Sequence, residues 1–439
     1  LRSGVDSDLG GNCFSADLVR ACREGRLAEA DIDRAVSRIL RLKFKMGLFD
    51  NPYVKVKKAE KLIGTSGHRE VAREVARQSV VLLKNENQLL PLSKEVKRVA
   101  VIGPNADNVY NQLGDYTAPQ APGSVITVLE GIRQKLPGAE VRYVKGCAVR
   151  DTLDTSIGEA CETAKNSDVV VVVLGGSSAR DFETDFLETG AAVANERKVS
   201  DMESGEGFDR IGLSLMGKQV ELLKALYATG RPVVLVMVQG RPLELNWAAE
   251  HIPAILTTWY PGGEGGRAIA DVLFGDYNPA GRLPLSYPRH VGQLPVYYNH
   301  KSAERHDYVE GTAAPLYPFG FGLSYTTFVY EGIDVRVEGD SVRVSVDVKN
   351  VGGRAGDEVV QLYLRDEQAS VVTPFMQLKA FQRVHLTSGE SRRVEFVLTE
   401  EHLRVLDTSL NWRVEPGWFT VMIGASSQDI RQRTRFRID

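Results

Sequence analysis

Three short, unbroken apolar runs limit the fold more than anything else in this chain: RVAVIG at 98–103, VVVVVLGG at 169–176 and PVVLVMVQG at 232–240. A run of this length, apolar at nearly every position and ending in glycine, reads as a strand buried on both faces. AILTT at 254–258 repeats the pattern. Segments with helical spacing lie around them, at 68–83, 156–165, 219–227 and 266–274. Such alternation specifies a mostly parallel sheet with helices on both faces, a three-layer α/β/α sandwich. Ligands in that architecture sit at the carboxyl ends of the strands, so the loops leaving the apolar runs are where chemistry is expected.

The two ends of the chain follow other rules. Residues 15–49 read as two helices, with Ser15 as a cap for the first and 30–33 opening the second. Ile32, Val36, Ile39, Leu40 and Phe44 fall on one side of the second helix, which Gly47 and Pro52 end. That side needs a partner surface, and little before Ser15 supplies one. A glycine- and proline-rich tract at 279–322 has neither helical nor strand periodicity and is expected to wrap or link. Beyond it the period becomes two. Val342, Val344, Val346 and Val348 alternate with Ser341, Arg343, Ser345 and Asp347, and 359–364, 393–398 and 418–424 continue in that style. Turns at 352–353 and 388–390 separate them, as in an all-β sandwich of about immunoglobulin size.

With 439 residues the chain is too long for one ordinary core, and 43% hydrophobic with 25% charged residues fits a soluble globular protein. A formal net charge of −3 provides no basic field, so nucleic acid is not an expected partner. No apolar run approaches the roughly 20 residues of a membrane helix, and no membrane partner is expected. Cys13, Cys22, Cys147 and Cys161 lack metal-type spacing and read as small packed hydrophobes, with Cys13–Cys22 and Cys147–Cys161 pairing left open. The chain begins at Leu1 without an initiator methionine and shows no signal peptide, which leaves the compartment open.

The polar stretch SDMESGEGFDRIGLSL at 200–215 follows the 169–174 strand on the ligand-binding edge. It carries Glu203 and Glu206, and Gly205 and Gly207 flank Glu206, freeing the backbone to bring a ligand close. Glu206 is the leading candidate for a working acid; an ordinary solvated acidic loop fits the same letters. The turns at 103–105 and 175–178 do not complete G-x-G-x-x-G, and no GKS or GKT loop, H-E-x-x-H or G-x-S-x-G occurs. The seven histidines, His306 among them, are scattered. What remains is carboxylate chemistry: one carboxyl group protonates a glycosidic oxygen and a second faces the anomeric carbon. Asp209-Arg210 reads as an ion pair or as a clamp for a sugar hydroxyl. In WYPGGEGG at 259–266 the aromatic pair suits a sugar site, whereas Glu264, just before a helix, is assigned a structural role at that helix's positive end.

LLKNENQLLPL (82–92), VAVIGPNAD (99–107), SGEGFDR (204–210), WYPGGEGGRAIADVLFGDYNPAGRLPLSYP (259–288) and YPFGFGLSYTTF (317–328) resemble family 3 glycoside hydrolases of the β-glucosidase and β-xylosidase group. The likeness covers almost the whole chain. It implies a (β/α)8 barrel carrying an aspartate nucleophile, an α/β sandwich carrying the acid/base glutamate, and a fibronectin type III-like domain. Residues 1–8 (LRSGVDSD) resemble the segment at the last barrel strand and 15–49 the closing helices. The implied limits are 1–50 for the barrel remnant, 51–75 for a linker, 76–290 for the α/β sandwich, 291–328 for a second linker and 329–439 for the fibronectin-like domain. The nucleophile is expected upstream of Leu1, and neither Asp6 nor Asp8 takes that role. The family's acid/base stands four residues before the arginine of the Asp-Arg pair, here Glu206 before Arg210, with Glu203 in reserve; Asp115, Tyr116 and Arg210 are the expected sugar contacts. The resemblance implies retaining hydrolysis of terminal β-linked glucose or xylose from a glycoside or oligosaccharide, with no cofactor and no metal. The barrel would come from upstream or from another chain, a homodimer stays open, and the compartment leans towards periplasm or secretion. The contrasting reading is a non-catalytic remnant or sugar-binding subunit.

Overall fold

A computed structural model describes residues 1–8, 14–179, 201–207, 209–301 and 307–439. Cys13, His306 and, within the acidic loop, Ser200 and Phe208 lie outside the described residues. The chain divides into two compact units, residues 1–69 with 206–207 in one and the remainder in the other.

The first unit contains the helices α1 (Ala16–Arg23), α2 (Glu29–Lys45) and α3 (Val56–Leu62). Ser15 stands at the N-cap of α1 but its side chain makes no capping hydrogen bond. On α2 only Ala35 is buried; Val36, Leu40 and Phe44 of the expected apolar side are 47%, 39% and 65% exposed. Ion pairs Arg2–Asp31 (3.2 Å) and Arg38–Asp6 (3.0 Å) tie the opening residues to this helix.

The second unit begins within α4 (Ser66–Ser79) and continues into β1 (Val81–Asn85). The helix expected over 68–83 therefore stops early. Its last residues, β-branched and leucine-rich, pair with a neighbouring strand instead, a tertiary choice that helical spacing does not reveal. In chain order follow β2 (Arg98–Ile102), α5 (Val109–Leu113), α6 (Val128–Lys135), β3 (Glu140–Val144), α7 (Ile157–Lys165), β4 (Val169–Gly175), α8 (Gln219–Tyr227), β5 (Val233–Val238), α9 (Asn246–His251), β6 (Ala254–Thr258) and α10 (Gly265–Leu273). The six strands run β1-β6-β5-β4-β2-β3, parallel throughout except for the antiparallel edge strand β1. Every residue of β4, β5 and β6 is buried, as their unbroken apolar letters require. Two apolar clusters, one on each face of the sheet, complete the α/β/α layering.

The glycine-rich 259–288 motif is explained by close backbone approach. A Cβ at Gly266 would stand 1.9 Å from the Thr127 carbonyl oxygen, and one at Gly131 would stand 2.1 Å from the carbonyl oxygen of Gly266, so the backbones of α6 and α10 meet at glycines. Asp271 on α10 is fully buried and receives Arg73 from α4 (2.7 Å) and Lys135 from α6 (2.5 Å). The tract at 279–322 does wrap. Tyr287, completely buried, pairs with Tyr317 through backbone hydrogen bonds, and its hydroxyl accepts from Gln239 (2.9 Å) and Leu243 (3.2 Å) under the sheet.

The sandwich follows: β7 (Phe328–Glu338), β8 (Ser341–Asn350), β9 (Gly356–Asp366), β10 (Gln377–Leu386), β11 (Ser391–Leu398), the short α11 (Glu400–Leu403), the small pair β12 (Val405–Leu406) and β13 (Trp412–Arg413), then β14 (Gly417–Gly424) and β15 (Ile430–Ile438). Sheets β10-β9-β14-β15 and β11-β8-β7 enclose one apolar core to which Val342, Val344, Val346 and Val348 all belong.

Candidate active site

At the carboxyl ends of β2 and β4 the turns at 103–105 and 175–178, which do not complete a nucleotide-binding pattern, are filled by the protein itself. A Cβ at Gly103 would lie 2.1 Å from the Val173 carbonyl oxygen. The buried Asn105 that follows donates to the carbonyls of Gly176 (2.9 Å) and Val238 (3.2 Å) and accepts from Asn111 (2.9 Å). Ser177 donates to Asn111 (2.7 Å), closing a buried amide network that staples three strand ends together.

On this platform two loops and one ring meet. Tyr260, after β6, packs its ring so closely against Gly114 and Gly240 that a Cβ at either would lie within 3 Å of it. Its phenol shares a hydrogen bond with Ser178, and burial raises its pKa. Ser178 also accepts from the backbone of Asp115 (3.0 Å), so β4 and β6 hold the 114–117 loop between them. Asp115 accepts from the Tyr116 amide (2.8 Å), which supports Tyr116 at φ 58° with its side chain 82% exposed. Two of the expected sugar contacts are thus neighbours on one loop held by β4 and β6.

The acidic segment is fixed at both ends. Asp201 accepts from the amides of Val149 (2.8 Å) and Arg150 (2.7 Å), and Glu203 donates its amide to the Ser177 carbonyl (2.8 Å). The Glu203 side chain is buried and ion-paired with Arg210, which also donates to the Ser214 carbonyl. A Cβ at Gly176 would stand 2.0 Å from Oε1 of Glu203, which accounts for the glycine that follows β4. That Oε1 has no hydrogen-bond partner among the described residues. The Asp209-Arg210 ion pair is not formed as expected. Asp209 pairs with Arg241 (2.8 Å) and Arg210 with Glu203, whose buried carboxylate needs a charged partner more than the exposed Asp209 does. The pair joins the two ends of the segment that carries Glu206, a half-buried residue in a turn followed by Gly207 at φ +69°. Sequence reasoning did not find Ser178, Asp201 or Arg241; their roles depend on which loops the sheet brings together.

Glu264 is structural, though not by capping. It occupies the N-cap position of α10 without a side-chain cap bond and pairs with Arg267 at 2.8 Å. Cys147 is buried and free, Cys161 is half-buried and free, and Cys22 is free. Among the described residues no cluster of ligating side chains could hold a metal ion, and no helix is long and apolar enough to cross a membrane.

Burial pushes the Glu203 carboxyl above the ordinary value of 4.5, with Arg210 and then Arg241 pulling it partly back. A carboxyl whose pKa is raised by folding contributes stability that is complete below its unfolded value and lost as pH rises through the folded value. Glu203→Gln is therefore expected to flatten the fall in melting temperature with rising pH above about 4.5. An unchanged slope in the variant would show that Glu203 titrates as it does in the unfolded chain.

Comparison with known proteins accords with this fold. Residues 80–325 match the glycosyl hydrolase family 3 C-terminal domain and 358–427 a fibronectin type III-like domain. A β-xylosidase of Formosa agariphila is 42% identical over 98% of this chain and 59% of its own length. The periplasmic β-glucosidase of Salmonella typhimurium is 37% identical over 98% of the chain and 59% of its own length. A Listeria innocua β-glucosidase variant solved in complex with laminaribiose superposes with a TM-score of 0.85 at 34% identity, covering 100% of this chain and 59% of that one. The chain thus spans somewhat over half the length of the curated relatives it matches. With more than half of its residues matched by the family's own C-terminal domain, the chain belongs to glycosyl hydrolase family 3.

Proposed function

We propose that this chain is the acid/base-bearing part of a retaining β-glycosidase that removes terminal β-linked glucose or xylose, with Glu206 as the acid/base. The observation that carries the proposal is the division of labour between two carboxylates three residues apart. Glu203 is buried and paired with Arg210, leaving Glu206 on the turn between those two residues. A loop clasped at its ends holds a side chain in range of a substrate without ordering it in advance. Glu206 protonates the departing glycosidic oxygen, then deprotonates the water that releases the sugar. Asp115 and Tyr116 contact the sugar. Arg210 contributes chiefly by anchoring the turn and touches the sugar only through donors that Glu203 and Ser214 leave.

The second carboxylate of a retaining enzyme, the nucleophile, belongs to a (β/α)8 barrel upstream of Leu1. Support comes from relatives whose names specify β-xylosidase and β-glucosidase and whose length exceeds this chain's. The exposed apolar side of α2 supports it too, since Val36, Leu40 and Phe44 form the kind of stripe that closes a barrel. Exogenous azide tests the assignment. In the full-length enzyme carrying Glu206→Ala, azide attacks the glycosyl-enzyme without a general base. It is expected to restore turnover of an aryl glycoside and to yield the β-glycosyl azide. Absence of that product would remove Glu206 from the role.

A further inference from the structure

The outer face of the β10-β9-β14-β15 sheet carries a second concentration of chemistry, far in sequence from the acidic loop. Arg365, Thr420 and Arg435 lie directly opposite one another on β9, β14 and β15, and Arg433 faces Met422 one step along the same face. Two strand spacings separate Arg365 from Arg435, about 10 Å between their backbones. With Phe375 and Glu367 they line an open groove of about 490 Å³. The Arg365 guanidinium lies over the Phe375 ring at 4.4 Å, and that of Arg435 over Trp418 at 5.2 Å. Trp418 is 45% exposed.

The charge in this groove is unbalanced. Three guanidiniums face one carboxylate, Glu367, which already accepts from Thr420 at 2.5 Å and stands 3.7 Å from Arg435. Among the described residues Arg365 and Arg433 make no ion pair. Arg433 and Arg435 lie on the edge strand β15, where charge also guards a sheet edge, but Arg365 is on β9, with β10 and β14 on either side, so edge protection does not account for the whole cluster. Stacking on aromatic rings holds two of the forks in place while leaving donors for a planar anion.

We propose that this groove binds a uronate-bearing polysaccharide chain, with carboxylates of the polymer on Arg365, Arg433 and Arg435 and sugar faces against the exposed part of Trp418. A carboxylate suits the bidentate guanidinium fork. An aromatic surface beside fixed donors suits a sugar ring, whose face is apolar and whose edge is polar. The chain's overall charge of −3 argues against a general polyanion attraction, so recognition is local. The choice of a glycan rests on family membership and is independent of the role of Glu206.

Affinity electrophoresis of the full-length enzyme through gels containing polygalacturonate tests this directly. Retardation at low salt is expected. The fully methyl-esterified polymer, alike in sugar but uncharged, should not retard the protein. Arg433→Gln alone should weaken the apparent affinity, and the triple variant Arg365→Gln/Arg433→Gln/Arg435→Gln should weaken it about tenfold or more. The melting temperature of the single variant should not change, since Arg433 has no ion pair to lose among the described residues. Glycosidase activity on a small aryl glycoside should be untouched in all variants, which separates this site from the acid/base. The proposal fails if the protein is not retarded, if the triple variant is retarded equally, if the esterified polymer binds as well, or if single-stranded DNA of matched charge binds as tightly as polygalacturonate.

Discussion

Glu206→Ala in the full-length enzyme is expected to lower kcat/KM by about 10²- to 10⁴-fold on a β-glycoside whose leaving group is an alkyl alcohol or a second sugar. The same variant should lose far less in the glycosylation step on a nitrophenyl glycoside. The physical reason lies in the leaving group. An alkoxide is too basic to depart unprotonated, whereas a nitrophenolate departs readily without help. Deglycosylation still needs a general base, so the nitrophenyl substrate should accumulate a glycosyl-enzyme and show a burst followed by slow release. Equal losses on both substrates without a burst would mean that Glu206 holds the loop and does not transfer protons. Glu203→Ala serves as the contrast. It leaves Arg210 buried without its carboxylate, so its effect should appear in stability and on both substrates alike.

Asp271→Ala is expected to produce the largest loss of stability. The Asp271 side chain has no solvent exposure and is met by Arg73, Lys135 and, at 3.6 Å, Arg77. These come from α4 and α6, so one carboxylate on α10 ties three helices on one face of the sheet. Removing it leaves three cations around a vacated site, of which Lys135 keeps Asp276 (2.6 Å) and Arg77 keeps Glu70 (3.3 Å) and Glu74. Truncating one member of a buried pair costs about 3–5 kcal/mol, but the cations here are 18–28% exposed and keep part of their hydration, so about 2–3 kcal/mol is expected. Asp271→Asn should recover part of this by accepting hydrogen bonds. Urea unfolding followed by tryptophan fluorescence would measure both. A loss under about 0.5 kcal/mol for the alanine variant would show the network to be no stronger than a surface ion pair.

Much of the fold was legible in the letters because burial imposes local periods. The valine-rich apolar runs at 169–174 and 233–238 read as strands covered on both faces, and the valine alternation at 342–348 as a strand covered on one. Where two structures share a composition the letters did not decide. The run after Ser79 continues a helical spacing on paper, but in the protein it pairs with β6 and becomes β1.

By itself, the sequence determined the layered α/β unit, the β-sandwich after it and the segment that holds the acidic residues, since each depends on spacing within a few neighbouring residues. Only the tertiary structure decided which acid is buried, that Arg210 turns to Glu203 while Asp209 turns to Arg241, and that Ser178 links Asp115 with Tyr260. Those partnerships join residues that the sheet brings together across long stretches of chain. The choice among them is set by desolvation, and desolvation is a property of the folded surroundings that no local pattern of letters encodes.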